Sequence, residues 1–259
     1  MRTLGQLLSK PGRLIGTWSQ IAHGDVIDAL GIAGYDFTII DCEHGAFGIE
    51  TAAALVRCCE AAGMVPLVRV PRDDGTAISK ALDAGAGGVL VPAVESAAEA
   101  AALVAATRFA PHGTRGACPN VRAAAHSAMA WRIFVSAQAE CGIVAMIETA
   151  AGLHACEAIC AVPGLRALLI GPFDLAVSMG LEGEYRHKDV VAGVHRLIDA
   201  ARIVNLPVIM PVFSPEPQML GADIAVWSKR GVRMFAIGAD KILLAQALRR
   251  YRHTAADAP

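Results

Sequence analysis

Polar and aromatic side chains that could do chemistry follow five predicted strands, at the point where each strand ends. They are Trp18, Asp41, Glu43, His44, Arg69, Glu148 and Asp174. Carboxyl ends of parallel strands meet at one face of a barrel, so these side chains are expected to share a pocket. A histidine can move a proton near neutral pH, and an arginine can stabilise negative charge that develops during a reaction. The pattern indicates an active site at this face.

Glu148 and Asp174 stand at the ends of neighbouring predicted strands, and apolar residues flank both of them. Two buried carboxylates this close repel and raise each other's pKa, unless a cation lies between them. Oxygen-only ligands in a partly hydrated site suit Mg²⁺ or Mn²⁺, whereas zinc would want a histidine or cysteine beside them. The pair therefore predicts a divalent metal site. Taken alone, either acid could instead cap the following helix.

The elements that must position these residues are apolar runs that alternate with helical patterns. The predicted strands span 14–18, 37–41, 65–70, 88–94, 142–148, 165–171, 207–213 and 233–238. The predicted helices span 24–33, 50–62, 74–84, 96–109, 151–161, 188–204, 216–230 and 240–251. Continuous apolar strands are typical of parallel sheets covered on both faces. The alternation predicts an α/β fold, a single-domain (β/α)₈ TIM barrel over 1–252, followed by a disordered tail at 253–259.

One alternative fold and one long insertion accompany this prediction. An open doubly wound sheet would want a glycine-rich phosphate loop after its first strand, and "TWSQIAHGD" is not one. Residues 110–140, between the helix at 96–109 and the strand at 142–148, form an extended segment that is too long for a simple connection. We expect a loop to about residue 125 and a short helix after it.

Composition and charge argue against a nucleic-acid-binding, membrane or disulfide-rich protein. The 259 residues are 54% hydrophobic with a formal net charge of −1, so neither a nucleic-acid face nor a membrane-attracting patch is expected. No apolar stretch is long enough for a transmembrane helix. The first residues contain no apolar signal core, so we expect a cytoplasmic protein. The seven cysteines are irregularly spaced, which favours reduced, mostly buried thiols over a disulfide framework.

A set of short motifs occurs in order along the chain. They are "GTW" (16–18), "DCEHG" (41–45), "VRVP" (68–71), "DAGAGGVLVP" (83–92), "GTRG" (113–116), "IET" (147–149) and "IGPFDL…MG" (170–180). With this combination, from about residue 5 to 250, the chain resembles the HpcH/HpaI aldolases. Those enzymes are metal-dependent lyases that split 4-hydroxy-2-oxo acids into pyruvate and an aldehyde.

The resemblance implies a role for each main residue of the pocket. Glu148 and Asp174 look like the ligands of a divalent metal, which would be Mg²⁺, Mn²⁺ or Co²⁺. Arg69 looks like the group that holds the 2-oxo oxygen and the developing enolate. His44 looks like the acid–base residue, with Asp83 as its partner. A Schiff-base aldolase is disfavoured, because none of the lysines lies within an apolar strand.

The resemblance also implies how a 2-oxo acid and an aldehyde are bound. Backbone N–H groups of Phe173 and Asp174, at the start of a helix, would hold the substrate carboxylate. Other implied contacts and further candidates are Trp18, Arg69, Gly171, Pro172, Asp41, Glu43, Arg115 and Arg122. We expect Arg115 or Arg122 to reach over a barrel mouth, its own or a neighbour's, and hold an acidic group of the aldehyde. Alternatively, both arginines only solubilise their loop.

Assembly and rival functions complete the expectations. The resemblance implies a homohexamer, a trimer of dimers in which C-terminal helices are exchanged. The amphipathic stretch "KILLAQALRRY" (241–251) could pack in that way or on its own barrel. One rival function is a coenzyme A thioester lyase of the citrate lyase β or malyl-CoA type, although no basic cluster suits the nucleotide. Another is a catalytically silent barrel that binds a small molecule.

Overall fold

Eight parallel strands close into a barrel in chain order in this computed structural model, which describes residues 2–72, 74–214 and 217–256. The strands are β1 (Leu14–Ser19), β2 (Phe37–Asp41), β3 (Val65–Arg69), β4 (Gly88–Val91), β5 (Ile143–Ile147), β6 (Ala167–Ile170), β7 (Val208–Val212) and β8 (Met234–Ala239). The barrel closes where β1 pairs with β8, with Leu14 opposite Met234. The predicted TIM barrel is confirmed.

The continuous apolar strands supply two separate packing layers. Ile39 and Leu67 belong to the cluster that fills the barrel interior. Their neighbours Ile40 and Val68 belong to the larger cluster between the sheet and the surrounding helices. Successive strand residues face opposite sides, so a strand buried on both sides is mostly apolar. The hydroxyl groups of Thr17 and Thr38 are buried within strands, where they donate to backbone carbonyls, but charged residues enter only where a strand ends.

Helices surround the barrel close to the predicted positions. They are α1 (Leu4–Ser9), α2 (Gly24–Ile32), α3 (Ile49–Ala61), α4 (Gly75–Ala84), α5 (Ala97–Ala106), α6 (Trp131–Gln138), α7 (Ala150–His154), α8 (Cys156–Cys160), α9 (Pro172–Ser178), α10 (Lys188–Ile203), α11 (Pro217–Ser228) and α12 (Asp240–Ala256). The helix predicted at 151–161 is two short helices, α7 and α8. The 110–140 segment contains a 3₁₀ turn at Arg122–Ser127 and then α6, so the expected late helix is present. None of the helices in the described ranges is long and apolar enough to cross a bilayer.

The last helix differs most from its prediction. Helix α12 continues to Ala256, so residues 253–256, assigned to the tail from the sequence, are helical. Residues 257–259, the rest of the predicted tail, lie outside the described residues. Ile242, Leu244 and Leu248 on this helix are 46%, 50% and 62% exposed. The apolar side of α12 is therefore not buried on its own barrel.

Candidate active site

A cavity of about 570 Å³ opens at the carboxyl ends of the strands. Seven of the predicted site residues line it: Trp18, His44, Arg69, Gly171, Pro172, Phe173 and Asp174. Met146 lines it too. The side chains come from the ends of β1, β2, β3, β5 and β6 and from the segments that follow them. The structure thus brings four of the strand-end residues into one cavity, whereas Asp41, Glu43 and Glu148 are not among its lining residues.

Asp41 organises one side of this cavity from a fully buried position. Its Oδ1 accepts hydrogen bonds from Arg69 Nε at 2.8 Å and from the backbone N–H groups of Glu43 and His44, both at 3.1 Å. Its Oδ2 accepts from Arg69 Nη2 at 2.6 Å and from Gln20 Nε2 at 2.8 Å. Burial alone would raise the pKa of Asp41, but the Arg69 and Gln20 contacts outweigh it and lower that pKa below its usual range.

Arg69 is held in one orientation by its neighbours. Besides the two bonds to Asp41, its Nη1 lies 2.9 Å from Oε2 of Glu43. Its guanidinium carbon lies 4.5 Å from the ring centroid of Trp18, a cation–π distance. The indole N–H of Trp18 is buried and has no hydrogen-bond partner among the described residues. The site therefore combines the guanidinium of Arg69, held in one orientation, with the indole N–H of Trp18, which has no acceptor among the described residues.

Glu148 lies directly after β5, beside Gly171, which lines the cavity. Its Oε1 accepts a hydrogen bond from the backbone N–H of Ala93 at 2.9 Å. Ala93 has φ of +49°, an unusual conformation for alanine that directs this N–H to the carboxylate. Burial, and secondly the negative charge of Asp174, raise the pKa of Glu148 to about 7. The two acids are therefore close enough to repel, as their strand positions predicted, but the expectation that both are buried is wrong, because Asp174 is exposed.

Gly171 is required by the closeness of these groups. A Cβ atom at this position would lie 2.6 Å from Cβ of Glu148 and 2.7 Å from its Oε2. Gly171 also precedes α9, where Pro172 occupies the first turn and needs no hydrogen-bond acceptor. The backbone N–H groups of Phe173 and Asp174 follow in that turn, where a helix leaves such groups without intrahelical partners. The expected helix start beside the acids is confirmed.

The acid pair fits a divalent cation that prefers oxygen ligands. No group of three or more histidine, cysteine, aspartate or glutamate side chains within the described ranges could hold a metal ion. Glu148 and Asp174 would be the two protein ligands, and their mutual repulsion would be relieved by a cation. Mg²⁺ commonly keeps one or two carboxylates and fills its other positions with water and substrate oxygens. A donor set of this kind therefore suits Mg²⁺ or Mn²⁺ better than a closed zinc site.

Asp83 is not where its predicted role requires it within one chain. It lies near the end of α4, which finishes just before β4 begins, so it is at the amino end of the barrel. Its Oδ1 lies 2.6 Å from Nη2 of Arg115. His44, by contrast, lines the cavity at the carboxyl end. The prediction that Asp83 partners His44 is therefore wrong within a single chain.

Arg115 and Arg122 also lie at the amino end and not over the mouth of their own barrel. Arg115 Nη1 donates to Gln138 Oε1 at 2.6 Å, and its guanidinium lies 4.7 Å from the ring centroid of Phe109. Arg122 donates to the carbonyl of Ala84 at 2.8 Å and pairs with Glu60. Neither arginine can therefore contact an aldehyde bound in the cavity of the same chain. A contact with a neighbour's mouth stays a prediction.

Several residues of the site were not singled out from the sequence. Gln20 lines the cavity and donates to Asp41, and Asp240 accepts hydrogen bonds from the backbone of the segment after β1. Tyr185 and Arg186 line the cavity beyond α9. Asp240 stands directly after the apolar run of β8, which is the same signal that identified Asp41. Gln20, Tyr185 and Arg186 lie in loops, where the sequence offers no comparable signal.

Comparison with known proteins agrees with the motifs. The family model described as HpcH/HpaI aldolase/citrate lyase matches residues 14–247. The hydroxypyruvate/pyruvate aldolase of Chromohalobacter salexigens is 32% identical over 232 residues, which cover 90% of this chain and 89% of that protein. The 2-dehydro-3,6-dideoxy-6-sulfogluconate aldolase of Pseudomonas putida is 30% identical over 239 residues, covering 92% and 91%. The structure of an HpcH/HpaI aldolase/citrate lyase family protein from Burkholderia cenocepacia is 32% identical, with a TM-score of 0.89 and coverage of 98% and 99%.

Proposed function

This chain belongs to the HpcH/HpaI aldolase/citrate lyase family, and on that premise we propose that it is a metal-dependent pyruvate aldolase. Its reaction would be the reversible cleavage of a 4-hydroxy-2-oxo acid into pyruvate and an aldehyde. The observation that supports this most directly is the pair of repelling carboxylates, Asp174, which lines the cavity with Arg69, and Glu148, which lies beside the lining residue Gly171. Its relatives' names also support an aldolase, and one of them names hydroxypyruvate beside pyruvate.

Glu148 and Asp174 would hold the divalent ion, which would be Mg²⁺, Mn²⁺ or Co²⁺. When bound, this ion would act as a Lewis acid for the negative charge that develops on the 2-oxo group. The 2.9 Å hydrogen bond from Ala93 N–H keeps one oxygen of Glu148 engaged and fixes the direction of its carboxylate. The protein therefore presents its acids in a prearranged geometry.

Arg69 would stabilise the enolate that remains when the carbon–carbon bond breaks. Asp41 binds its Nε and Nη2, and Glu43 binds its Nη1, so the guanidinium plane is fixed before substrate arrives. N–H groups that are fixed in advance stabilise developing charge without reorganisation. The indole N–H of Trp18, which is buried and has no partner in the part of the chain that the structure describes, would add a further donor near Arg69.

His44 would move the proton of the reaction. Its side chain is exposed and lines the cavity, and its backbone N–H is tied to Asp41 at 3.1 Å. In cleavage it would take the proton from the 4-hydroxyl group, and in condensation it would take one from the pyruvate methyl group. The backbone N–H groups of Phe173 and Asp174 would hold the substrate carboxylate at the start of α9.

The exposed apolar side of α12 supports an oligomer. Ile242, Leu244, Leu248 and Tyr251 are 46%, 50%, 62% and 79% exposed along this helix. We propose a homohexamer in which the helix packs on a neighbouring copy, as the family resemblance implies. Light scattering at micromolar concentration tests this, because a monomer there would contradict the proposal.

A substrate panel tests the aldolase. Purified protein is incubated with several 4-hydroxy-2-oxo acids, with and without Mg²⁺ or Mn²⁺, and pyruvate is measured with a coupled assay. Oxaloacetate decarboxylation reports on handling of the pyruvate part alone, and hydroxypyruvate replaces pyruvate in the condensation direction. We expect metal-dependent pyruvate release from at least one acid. Rates seen only with coenzyme A thioesters would favour the rival lyase, and no reaction with any substrate would favour a binding barrel.

A further inference from the structure

A buried carboxylate joins the segment after β1 to the first residue of α12. Asp240 is 4% exposed, and its Oδ2 accepts hydrogen bonds from the backbone N–H groups of Gln20 and Ile21, both at 2.9 Å. Its Oδ1 accepts from the N–H of Lys241 at 2.7 Å. Charge-assisted hydrogen bonds of this kind are about twice as strong as neutral ones. The segment after β1 and the start of α12 are therefore held together.

The side chain of Gln20 continues this connection into the active site. Its Nε2 donates to Oδ2 of Asp41 at 2.8 Å, and the same oxygen receives Nη2 of Arg69 at 2.6 Å. Asp41 thus receives donors on both oxygens, and each one limits rotation of the carboxylate. Since Asp41 holds Arg69 through two nitrogens, the orientation of this carboxylate sets the plane of the guanidinium.

We infer that Gln20 and Asp240 are positioning residues for Arg69. Gln20 fixes the carboxylate of Asp41, and Asp240 fixes the backbone of Gln20, so the N–H groups that Arg69 offers to substrate stay in one place. This inference rests on the proposed function, because the catalytic role of Arg69 comes from there. It adds that the first residue of α12 is connected to Arg69 by hydrogen bonds through Gln20 and Asp41.

Gln20→Leu tests the inference because it keeps the size of the side chain and removes the donor. We expect kcat and kcat/KM to fall together by about 10-fold, with KM for oxaloacetate changed less than about twofold, since the lost interaction acts on developing charge. Asp240→Asn should have the same signature at about threefold, because it acts one bond further away. Gln218→Leu makes the same chemical change at an exposed position of α11 and should leave both constants unchanged. A rise in KM without a change in kcat would overturn the inference.

Gln20→Glu adds a pH signature that a purely structural role would not produce. Below its pKa the new glutamic acid is protonated and can donate to Asp41 as glutamine does. Above that pKa it is a second negative charge beside Asp41 and repels it. The rate of Gln20→Glu relative to wild type should therefore rise as pH falls from 8.5 to 5.5, whereas the Gln20→Leu ratio stays flat. A flat ratio for Gln20→Glu would overturn the inference.

Fluorescence of Trp18 gives a readout that does not need turnover. In a Trp131→Phe, Trp227→Phe background, Trp18 is the remaining tryptophan, and Arg69 lies 4.5 Å from its ring. Gln20→Leu and Asp240→Asn should shift or brighten its emission, and Gln218→Leu should not. A spectral response in a protein without lyase activity would keep the positioning role and reject the proposed function. Full activity with no response of rate or spectrum would reject the positioning role alone.

Discussion

Each end of the barrel holds a buried arginine paired with an aspartate, yet the surroundings of the two pairs differ. At the carboxyl end, Arg69 lines a cavity together with Asp174, whose charge, after burial, raises the pKa of the nearby Glu148. At the amino end, Arg115 packs against Phe109 and pairs with Asp83. The first pair leaves electrostatic repulsion nearby that a ligand could relieve. The second is held within the chain by Asp83 and Gln138, which indicates a structural role, although Nε of Arg115 has no hydrogen-bond partner among the described residues.

Glu148→Gln should produce the largest loss of activity at the carboxyl end. Loss of a metal ligand removes several kcal/mol of transition-state stabilisation, so kcat/KM should fall by about 10³ or more. Mn²⁺ affinity, measured by titration, should fall in parallel with pyruvate release. Asp174→Asn is the matched variant and should behave alike. Full turnover of the wild-type protein in excess chelator would contradict the assignment of both ligands.

Replacing each arginine by lysine compares the two ends directly. Arg69→Lys keeps the charge but loses the planar fork, so kcat should fall by about 10² because the enolate loses its fixed donors. Arg115→Lys should instead lower the free energy of unfolding by roughly 2 kcal/mol, because lysine cannot keep both hydrogen bonds, to Asp83 and to Gln138. Denaturant titration and kcat per folded molecule separate the two effects. An equal loss of kcat from both variants would mean that the amino end also serves an active site, such as that of a neighbouring copy.

His44→Ala should slow aldol chemistry by about 10², the usual scale for an acid–base group. Its side chain is exposed, so thermal stability should change little. Steady-state rates for cleavage and for oxaloacetate decarboxylation, measured with the same preparation, check this expectation. A cleavage rate within about twofold of wild type would exclude His44 as the base. Such a result would leave the metal and Arg69 assignments untouched.

Stability without metal should depend on pH through Glu148 at the carboxyl end. The pKa of Glu148 is raised to about 7 in the folded protein, so its charged form destabilises the fold. With chelator present, stability should be highest below the unfolded-state pKa, near 4.3, and should decline as pH rises to about 7. At about 1.4 kcal/mol per pKa unit, the decline is at most about 4 kcal/mol. Glu148→Gln should therefore stabilise the protein at pH 8.

Asp83→Asn is the amino-end counterpart in this experiment and should have the opposite sign. Asp83 is paired with Arg115 at 2.6 Å, and its side chain is 31% exposed, so solvent reduces the loss to about 1 kcal/mol. Chemical denaturation of both variants at pH 8 with chelator measures the two signs together. Destabilisation by Glu148→Gln would show that the acid pair is not repulsive and would weaken the metal assignment.

The barrel and most of its mouth could be predicted from the sequence because each signal is local. A strand buried on both faces contains no charged residue before its end, so the first charged residue, as at Asp41 or Glu148, marks the mouth of the barrel. Asp240 is likewise the first polar residue after β8, but it was not among the predicted site residues. The loops of a TIM barrel vary in length and sequence. No sequence pattern therefore identifies Gln20 or Arg186, which lie in loops, as site residues.

The misplaced arginines could not have been located from the sequence alone. The position of Arg115 depends on how the 110–140 segment folds back beneath the barrel. There Phe109, Trp131 and Phe134 form one aromatic cluster, with ring centroids 4.9 to 5.7 Å apart. The position of this cluster determines that of Arg115, because the guanidinium of Arg115 lies over the ring of Phe109. Side-chain packing between distant parts of the segment decided the outcome, and a loop's length and charge do not reveal such packing.

The Ala93 hydrogen bond to Glu148 has a consequence for laboratory evolution of this site. The donor is a backbone N–H, which every amino acid except proline supplies, so ordinary substitutions at position 93 cannot remove it. Ala93→Gly should even relieve the backbone strain of its φ of +49°. Libraries that vary residues around the cavity can therefore sample many side chains at position 93 while the carboxylate keeps its anchor. The backbone, which point mutations alter less than side chains, would therefore fix the geometry of the metal site.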